Sequence, residues 1–321
     1  MRVRIGLVGA GGVGARHART LAGFDDVELV GIADADPAAC AGLAAELGIP
    51  VVDTVDQLLQ ASLDGVWLCV PPFAHGELEL RAVRAGLPFF VEKPLAADLA
   101  VAETVAEVVA ASAVPTATGY HWRHLDTVAR AREVLATSSP RLVGLTWQDK
   151  VPPPAWWSTA ALSGGQVVEQ ATHVLDLARV LVGEVVEVHA AAAPSSAPGR
   201  DVADATTAIL AFASGAVGTL AATCTLAAKG RAGIEVAADG VLVELTETSL
   251  RIVRADGDEQ LQPAVDGRLA VDRAFVDVLS GRPAPPGLVD YAEALCTHRV
   301  ACAIAESVRT NGPVRVGASG R

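Results

Sequence analysis

The sequence predicts an α/β fold in two parts. A doubly wound parallel sheet is expected over residues 1–119, and an α/β domain with an open, largely antiparallel sheet over residues 120–321. Three observations carry this expectation. Short apolar, β-branched runs alternate with Ala-rich helical stretches up to about Thr118. A glycine-rich turn follows the first of those runs. From Val185 to Val253 the chain is strand-like almost throughout. A length of 321 residues suits two domains, each large enough to bury a core. With 51% hydrophobic and 19% charged residues, the composition is not that of a disordered chain.

The elements follow in order. Val3–Val8 is a buried strand by its length and branching, and a glycine turn leads from it into an Ala-rich helix. Val27–Ala33 is the next strand, and Pro37 opens a helix that Gly48 ends. Val66–Val70 is a strand closed by Pro71-Pro72. His75–Ala85 is helical with Gly86 as its stop, Phe89–Glu92 is a strand, and Asp98 can cap a helix over 99–111. Beyond Thr118 the spacing predicts a helix over 123–136, a strand over 142–148 and a proline-rich loop at Val151–Ser163. A single helix is expected from about Gly165 to Val182. The strand-rich region has turns at Pro194–Arg200, Ser214-Gly215 and Asp239-Gly240, and a last amphipathic helix covers Leu288–Arg309.

Charge and cysteine usage narrow the function. The 25 basic and 37 acidic residues give a net charge of −12, so a broad grip on a nucleic-acid backbone is not expected. Cys40, Cys69, Cys224, Cys296 and Cys302 include no CxxC pair and are odd in number, as expected of free thiols in a reducing compartment. The N-terminal apolar run is rich in glycine, and Arg16, His17 and Arg19 stand where a signal-peptide cleavage region would lie. Ala205–Ala228 carries no charge, but its Thr and Val content and central Ser214-Gly215 predict two strands and a turn rather than a membrane span. A soluble, cytoplasmic protein is expected, with neither membrane nor nucleic acid as partner.

The turn after the first strand is Gly9-Ala10-Gly11-Gly12-Val13-Gly14, a GxGxxG pattern between a strand and a helix. The first glycine permits the tight turn, the second lets a pyrophosphate approach the backbone, and the third lets helix and strand pack closely. N–H groups at the helix N-terminus then face the phosphates. Asp34, twenty residues after Gly14, ends the second strand, where a carboxylate accepts hydrogen bonds from ribose hydroxyls. It would also repel a 2′-phosphate, and no Arg or Lys follows to offset it, so NAD is favoured over NADP.

Only three of the 25 basic residues are lysines, so an ordinary surface charge in this chain is an arginine. Lys93 stands at the C-terminal end of a parallel strand, the edge where such sheets bind ligands, and its ammonium can donate or shuttle a proton. In the helix expected after the tryptophan loop, Glu169, His173 and Asp176 follow at spacings of four and three and share one face. An imidazole backed by a carboxylate suits a general base near neutral pH. The same trio could hold a metal, but the spacing is no zinc signature and no metal is expected.

Taken together, Gly9–Gly14, Asp34, Val70-Pro71-Pro72 with His75, Glu92-Lys93-Pro94, and the glycine-led helix with His173 and Asp176 resemble the glucose–fructose oxidoreductase/inositol dehydrogenase (Gfo/Idh/MocA) family. The resemblance covers nearly the whole chain. It implies a Rossmann domain, then an α/β domain whose open sheet commonly packs against another subunit, hence a homodimer or homotetramer. The last helix is able to pack back on the first domain. It implies an NAD-dependent oxidoreductase acting on a secondary alcohol or ketone of a sugar, polyol or sugar derivative. Lys93 would bind the substrate hydroxyl and His173 take its proton, with Glu169 beside it where many relatives have aspartate. Gly9, Gly11, Gly12, Val13, Gly14, Asp34, Val70, Pro71, Glu92 and Lys93 would contact the cofactor. Glu92 would lie by the nicotinamide ribose, and His75 would hold the loop over the cofactor. The Lys93–Pro94 bond is often cis in relatives. Tyr120 and Arg123 would stand near the substrate. Trp156 and Trp157 fit either a sugar-stacking wall or a subunit interface. Two other activities occur on this fold: a dinucleotide-sensing regulator and an NAD-dependent glycosidase.

Overall fold

Five parallel strands form the first sheet: β1 (Val3–Val8), β2 (Val27–Ala33), β3 (Gly65–Leu68), β4 (Phe89–Val91) and β5 (Thr116–Thr118), in the order β2-β1-β3-β4-β5. In this computed structural model, which describes residues 2–317, β3 and β4 are buried along their whole length. That burial is why they read as unbroken apolar runs. Helices connect the strands at Gly12–Ala22, Pro37–Leu47, Val55–Gln60, Glu77–Arg84 and Leu99–Ala110. Asp36 caps the second helix by accepting the Ala38 N–H at 2.9 Å, and Gly48 ends it in a left-handed conformation. The third, which was not expected, is opened by a reciprocal Thr54/Gln57 capping box.

The first compact unit is not continuous in sequence. It contains residues up to Ala96, Ala100–His121 and, after a long excursion, Arg268–Leu295. The boundary expected near 119 therefore has to be supplemented by a late segment. Its helix, Gly267–Leu279, was not foreseen, although apolar residues recur on it at Val271, Ala274, Phe275 and Val278. Val271, Phe275 and Val276 enter the same core as Ile5, Leu7, Ile32, Trp67 and Phe90. The Trp67 and Phe90 rings stack at 5.5 Å, and Phe275 leans against Trp67 at 5.3 Å. Residues 288–291 continue this packing: Thr118 N–H donates to the Val289 carbonyl, and Thr116 accepts the Tyr291 N–H.

The second unit holds Ala97–Leu99, Trp122–Gly267 and the chain from Cys296 onward. Its nine strands are β6 (Pro140–Gln148), β7 (Val185–Ala193), β8 (Ala205–Phe212), β9 (Val217–Thr223), β10 (Ala232–Ala238), β11 (Val241–Thr246), β12 (Leu250–Arg254), β13 (Gly257–Leu261) and β14 (Val314–Arg315). They run in the order β13-β12-β11-β10-β6-β9-β8-β7-β14, antiparallel except for the parallel pair β6–β9. Helices Asp126–Leu135 and Thr172–Val182 share a core with one face of this sheet. β8 and β9 bury alternate residues, as expected of strands covered on one side. The uncharged Ala205–Ala228 segment is thus two strands about the Ser214-Gly215 turn, and no helix among the described residues is long and apolar enough to cross a membrane.

The helix expected over 165–182 is interrupted. Ala160–Ser163 and Gln166–Glu169 are single turns, and a continuous helix begins only at Thr172. Gln170, at φ −105°, marks the break. The final helix is Tyr291–Thr310, whose first residues belong to the first unit and whose remainder belongs to the second.

Phe275 is fully buried among Trp67 and Phe90. Phe275→Ala is expected to destabilise the protein by about 3–5 kcal/mol, read from urea denaturation followed by tryptophan fluorescence. A loss within error would show that the late helix contributes nothing to this core.

Candidate dinucleotide and proton-transfer sites

The glycine turn lies at the C-terminal end of β1, and contact distances separate its glycines into two kinds. Gly9 has φ +101°, and a Cβ there would stand 2.2 Å from the Cys69 carbonyl oxygen; at Gly14 a Cβ would stand 1.9 Å from the Gly9 carbonyl oxygen. These two glycines allow the turn itself and the close approach of helix Gly12–Ala22 to the end of β1. A Cβ at Gly11 or Gly12 would meet nothing within 4 Å. Open backbone therefore lies at the helix N-terminus, where Gly11 supplies no side-chain cap and the first turn holds no acidic residue. The exposed Val13 sits in the same turn. Such a cradle fits a pyrophosphate.

Asp34 follows β2 and is fixed to this turn. Its Oδ2 accepts the Ala10 N–H at 2.6 Å and its Oδ1 accepts the Asp36 N–H at 2.8 Å. Both oxygens retain lone pairs able to accept ribose hydroxyls. With Asp36 two residues on, the local charge is doubly negative, which fits a dinucleotide lacking a 2′-phosphate. Val70 and Pro71, both half-buried, follow β3 on the same edge, and Val70 Cγ1 lies 3.4 Å from the position a Gly9 Cβ would take. The edge is the one where parallel sheets receive ligands.

At the end of β4 stand Glu92 and Lys93, and the Lys93–Pro94 peptide is cis. Glu92 is buried and heavily engaged. Its Oε1 accepts from His17 Nε2 at 2.8 Å and from Arg16 at 3.2 Å, and its Oε2 accepts the Lys93 N–H at 3.1 Å. Glu92, expected beside a ribose, thus also has an internal role. Burial alone would raise its carboxyl, but His17, Arg16 and Lys93 overcome that and hold it at about 2. His17 on helix Gly12–Ala22 was not anticipated as a site residue. Its Nδ1 lies 2.7 and 2.9 Å from the two Asp272 oxygens, and Trp67 Nε1–H donates to Asp272 at 2.8 Å. Burial would lower the imidazole; Asp272 and Glu92 outweigh it and raise it to about 9. A signal for His17 was present: it falls on the buried stripe Gly14, His17, Ala18, Leu21 of its helix.

His75 is fully buried, bonded through Nδ1 to Glu79 at 2.6 Å, while Glu79 accepts the Gly76 N–H. It shapes the turn after Pro72 and presents no surface for direct contact with a ligand. Tyr120, expected near a substrate, is also buried.

In the second unit, His173 opens helix Thr172–Val182 and is 6% exposed. Its ring lies near-parallel to Trp122 at 5.9 Å and to Trp147 at 5.8 Å, and Lys229 Nζ stands 5.8 Å from the Trp147 ring. The two indoles fix the plane of the imidazole. Glu169 ends the single turn before the break at Gln170, and His173 follows that break in the next helix. Trp157 Nε1–H donates to its Oε2 at 2.8 Å. Trp157 is fully buried with Val202 and Cys224, and the half-buried Trp156 packs against this cluster. Trp157 is therefore neither an exposed wall nor an exposed interface residue. Arg123, placed near a substrate by the resemblance, gives its Nε and Nη2 to Asp176 at 2.7 and 2.5 Å. Asp176 also accepts from Thr297, which accepts from Arg179. With Asp176 buried and Arg123 largely so, this bidentate pair holds the helix that carries His173.

Comparison with known proteins follows the same two-part division. The family model for oxidoreductases with an NAD-binding Rossmann fold, GFO_IDH_MocA, matches residues 3–120, and the GFO/IDH/MocA C-terminal domain matches 132–241. An inositol 2-dehydrogenase of Rhizobium meliloti is 34% identical over 57% of this chain, and the match spans 56% of that relative's length. A myo-inositol dehydrogenase of Streptomyces leeuwenhoekii is 30% identical over 97% of this chain and 99% of its own. Levoglucosan dehydrogenase, solved with NADH, has the same fold, with a TM-score of 0.89 and 22% identity over 99% of this chain and 100% of its own. With a glycine cradle, the Asp34 carboxylate and a Glu-Lys-Pro turn on one edge of the parallel sheet, and matches along both units, this chain belongs to the Gfo/Idh/MocA family of NAD-binding oxidoreductases.

Proposed function

We infer that this chain catalyses reversible, NAD-dependent hydride transfer at a secondary alcohol of a sugar, polyol or sugar derivative. The observation that carries the reading is Lys93 at the C-terminal end of β4, on the same edge as the open backbone of Gly11 and Gly12. Relatives named as inositol dehydrogenases support a cyclic polyol as the first substrate to try.

When bound, the nicotinamide supplies the hydride acceptor. Gly9–Gly14 hold the pyrophosphate and Asp34 the adenosine ribose. The Lys93 ammonium donates to the substrate oxygen and stabilises its charge as the proton departs. His173 accepts that proton, its ring held in plane by Trp122 and Trp147. Glu169, held by Trp157, tunes the polarity around the imidazole.

The exposed face of the second sheet supports a homo-oligomer. Leu142 (56% exposed) pairs with Val217 (53%), and Ile209 (60%) lies one strand further on. β8 and β9 carry no charged residue. An apolar face of this kind is normally covered.

Three outcomes are expected. Lys93→Met should abolish NADH formation on inositols and aldoses while NAD⁺ affinity stays within about threefold, because the cradle is untouched. Wild-type turnover in that variant would end the assignment. NAD⁺ binding with no turnover on any polyol would favour the regulator, and glycoside cleavage without net NADH the glycosidase. Asp34→Ala should weaken NAD⁺ by about tenfold or more, the value of a charged hydrogen-bond acceptor, and narrow the preference over NADP⁺ in parallel titrations. In light scattering after size exclusion, the wild type should be a dimer or tetramer and Ile209→Lys/Val217→Lys a smaller species. A monomeric wild type would remove the oligomer.

A further inference from the structure

His17 meets a carboxylate at each ring nitrogen. Asp272 faces Nδ1 at 2.7 Å, and Glu92 faces Nε2 at 2.8 Å. Ionised carboxylates only accept, so both nitrogens donate and the ring is an imidazolium. The ring and Asp272 are each about 1% exposed, so this cation is held in place by its partners rather than by water. Arg16 adds a second donor to Glu92 Oε1.

Glu92 is confined from the other side as well. A Cβ at Gly119 would stand 2.6 Å from Glu92 Oε1 and 2.7 Å from Oε2, so only glycine leaves room for the carboxylate. Its Oε2 then accepts the N–H of Lys93. Five segments converge on this point: helix Gly12–Ala22, β3 through Trp67, the ends of β4 and β5, and helix Gly267–Leu279.

We propose that His17 and Asp272 are positioning residues for Lys93: the clamped imidazolium fixes the Glu92 carboxylate, which fixes the backbone of the Glu92-Lys93 turn. Neither residue touches the substrate. Calling the positioned group catalytic rests on the function inferred above; the positioning itself does not.

The charged and titratable groups around His17 are Arg16 on its own helix, Glu92 and Lys93 after β4, Cys69 after β3 and Asp272 on the late helix. Removing the imidazolium takes from the buried Glu92 its chief stabilising partner. The Glu92 carboxyl then rises from about 2, and the turn becomes sensitive to mildly acidic pH.

The chain has only three lysines, so protein labelled with ¹³C at lysine Cε gives three signals, Lys93 being assigned by its loss in Lys93→Met. In the NADH-loaded full chain, His17→Gln and Asp272→Asn should each displace the Lys93 signal and leave Lys150 and Lys229 in place. Between pH 4 and 7 the Lys93 signal should be flat in the wild type and should titrate in His17→Gln. Gly119→Ala, which crowds Glu92 without touching His17, should displace the Lys93 signal too, and serves if a charge variant does not fold. On any substrate the wild type turns over, kcat should fall by about 10- to 100-fold, with KM within threefold, as for a misplaced catalytic group. An unmoved, pH-independent Lys93 signal in folded, NADH-binding variants would overturn the proposal. Full activity of Lys93→Met would instead overturn the catalytic reading and leave the positioning result standing.

Discussion

A charge buried in a protein interior must be compensated where it lies, and the imidazolium of His17 imposes that demand on the first unit. The ring sits on the helix that carries the phosphate cradle. Its compensation comes from the strand edge that carries Lys93 and from a helix 255 residues later. Satisfying one cation therefore brings together the pieces a dinucleotide-dependent enzyme needs side by side. Trp67 completes the arrangement by donating to Asp272 while its ring packs in the core, so the polar cluster and the apolar cluster share a member.

The second unit solves a comparable problem differently. His173 is oriented by two flat indoles and by the anchoring of its helix through Arg123 and Asp176. Glu169 is oriented by an indole N–H. In both units, then, an indole N–H directs a carboxylate, Trp67 that of Asp272 and Trp157 that of Glu169, tryptophan being large enough to fill space and polar enough to donate. Arg123 in this arrangement supports the helix through its bond with Asp176.

What the sequence disclosed follows from how local each feature is. Gly9, Gly14 and Asp34 belong to a strand–turn–helix unit whose geometry is set within about thirty residues, and Lys93 stands next to a strand end marked by proline. His17 stayed hidden because its partners lie 75 and 255 residues away, and a histidine on a helix looks like a surface residue until its place on the apolar stripe is noticed. The break at Gln170 has no glycine or proline to announce it, so periodicity carried the helix straight through. The roles of Trp157 and Arg123 depend on which polar group each meets in three dimensions, and spacing along the chain does not encode that.

The return of Arg268–Leu295 to the first unit has a consequence for the order of synthesis. A ribosome delivers the five-strand sheet early, but the helix that fills its core and supplies Asp272 emerges only after the second-sheet strands β6 to β13. Until then His17 has one carboxylate instead of two, and Trp67 and Phe90 lack the ring of Phe275. The nascent first unit is thus an open half-core with an undercompensated charge, exposed through the longest part of translation and closed by contacts of very high sequence separation. Vectorial synthesis, which lets many two-domain chains finish one domain before starting the next, offers this one no such sequence of events.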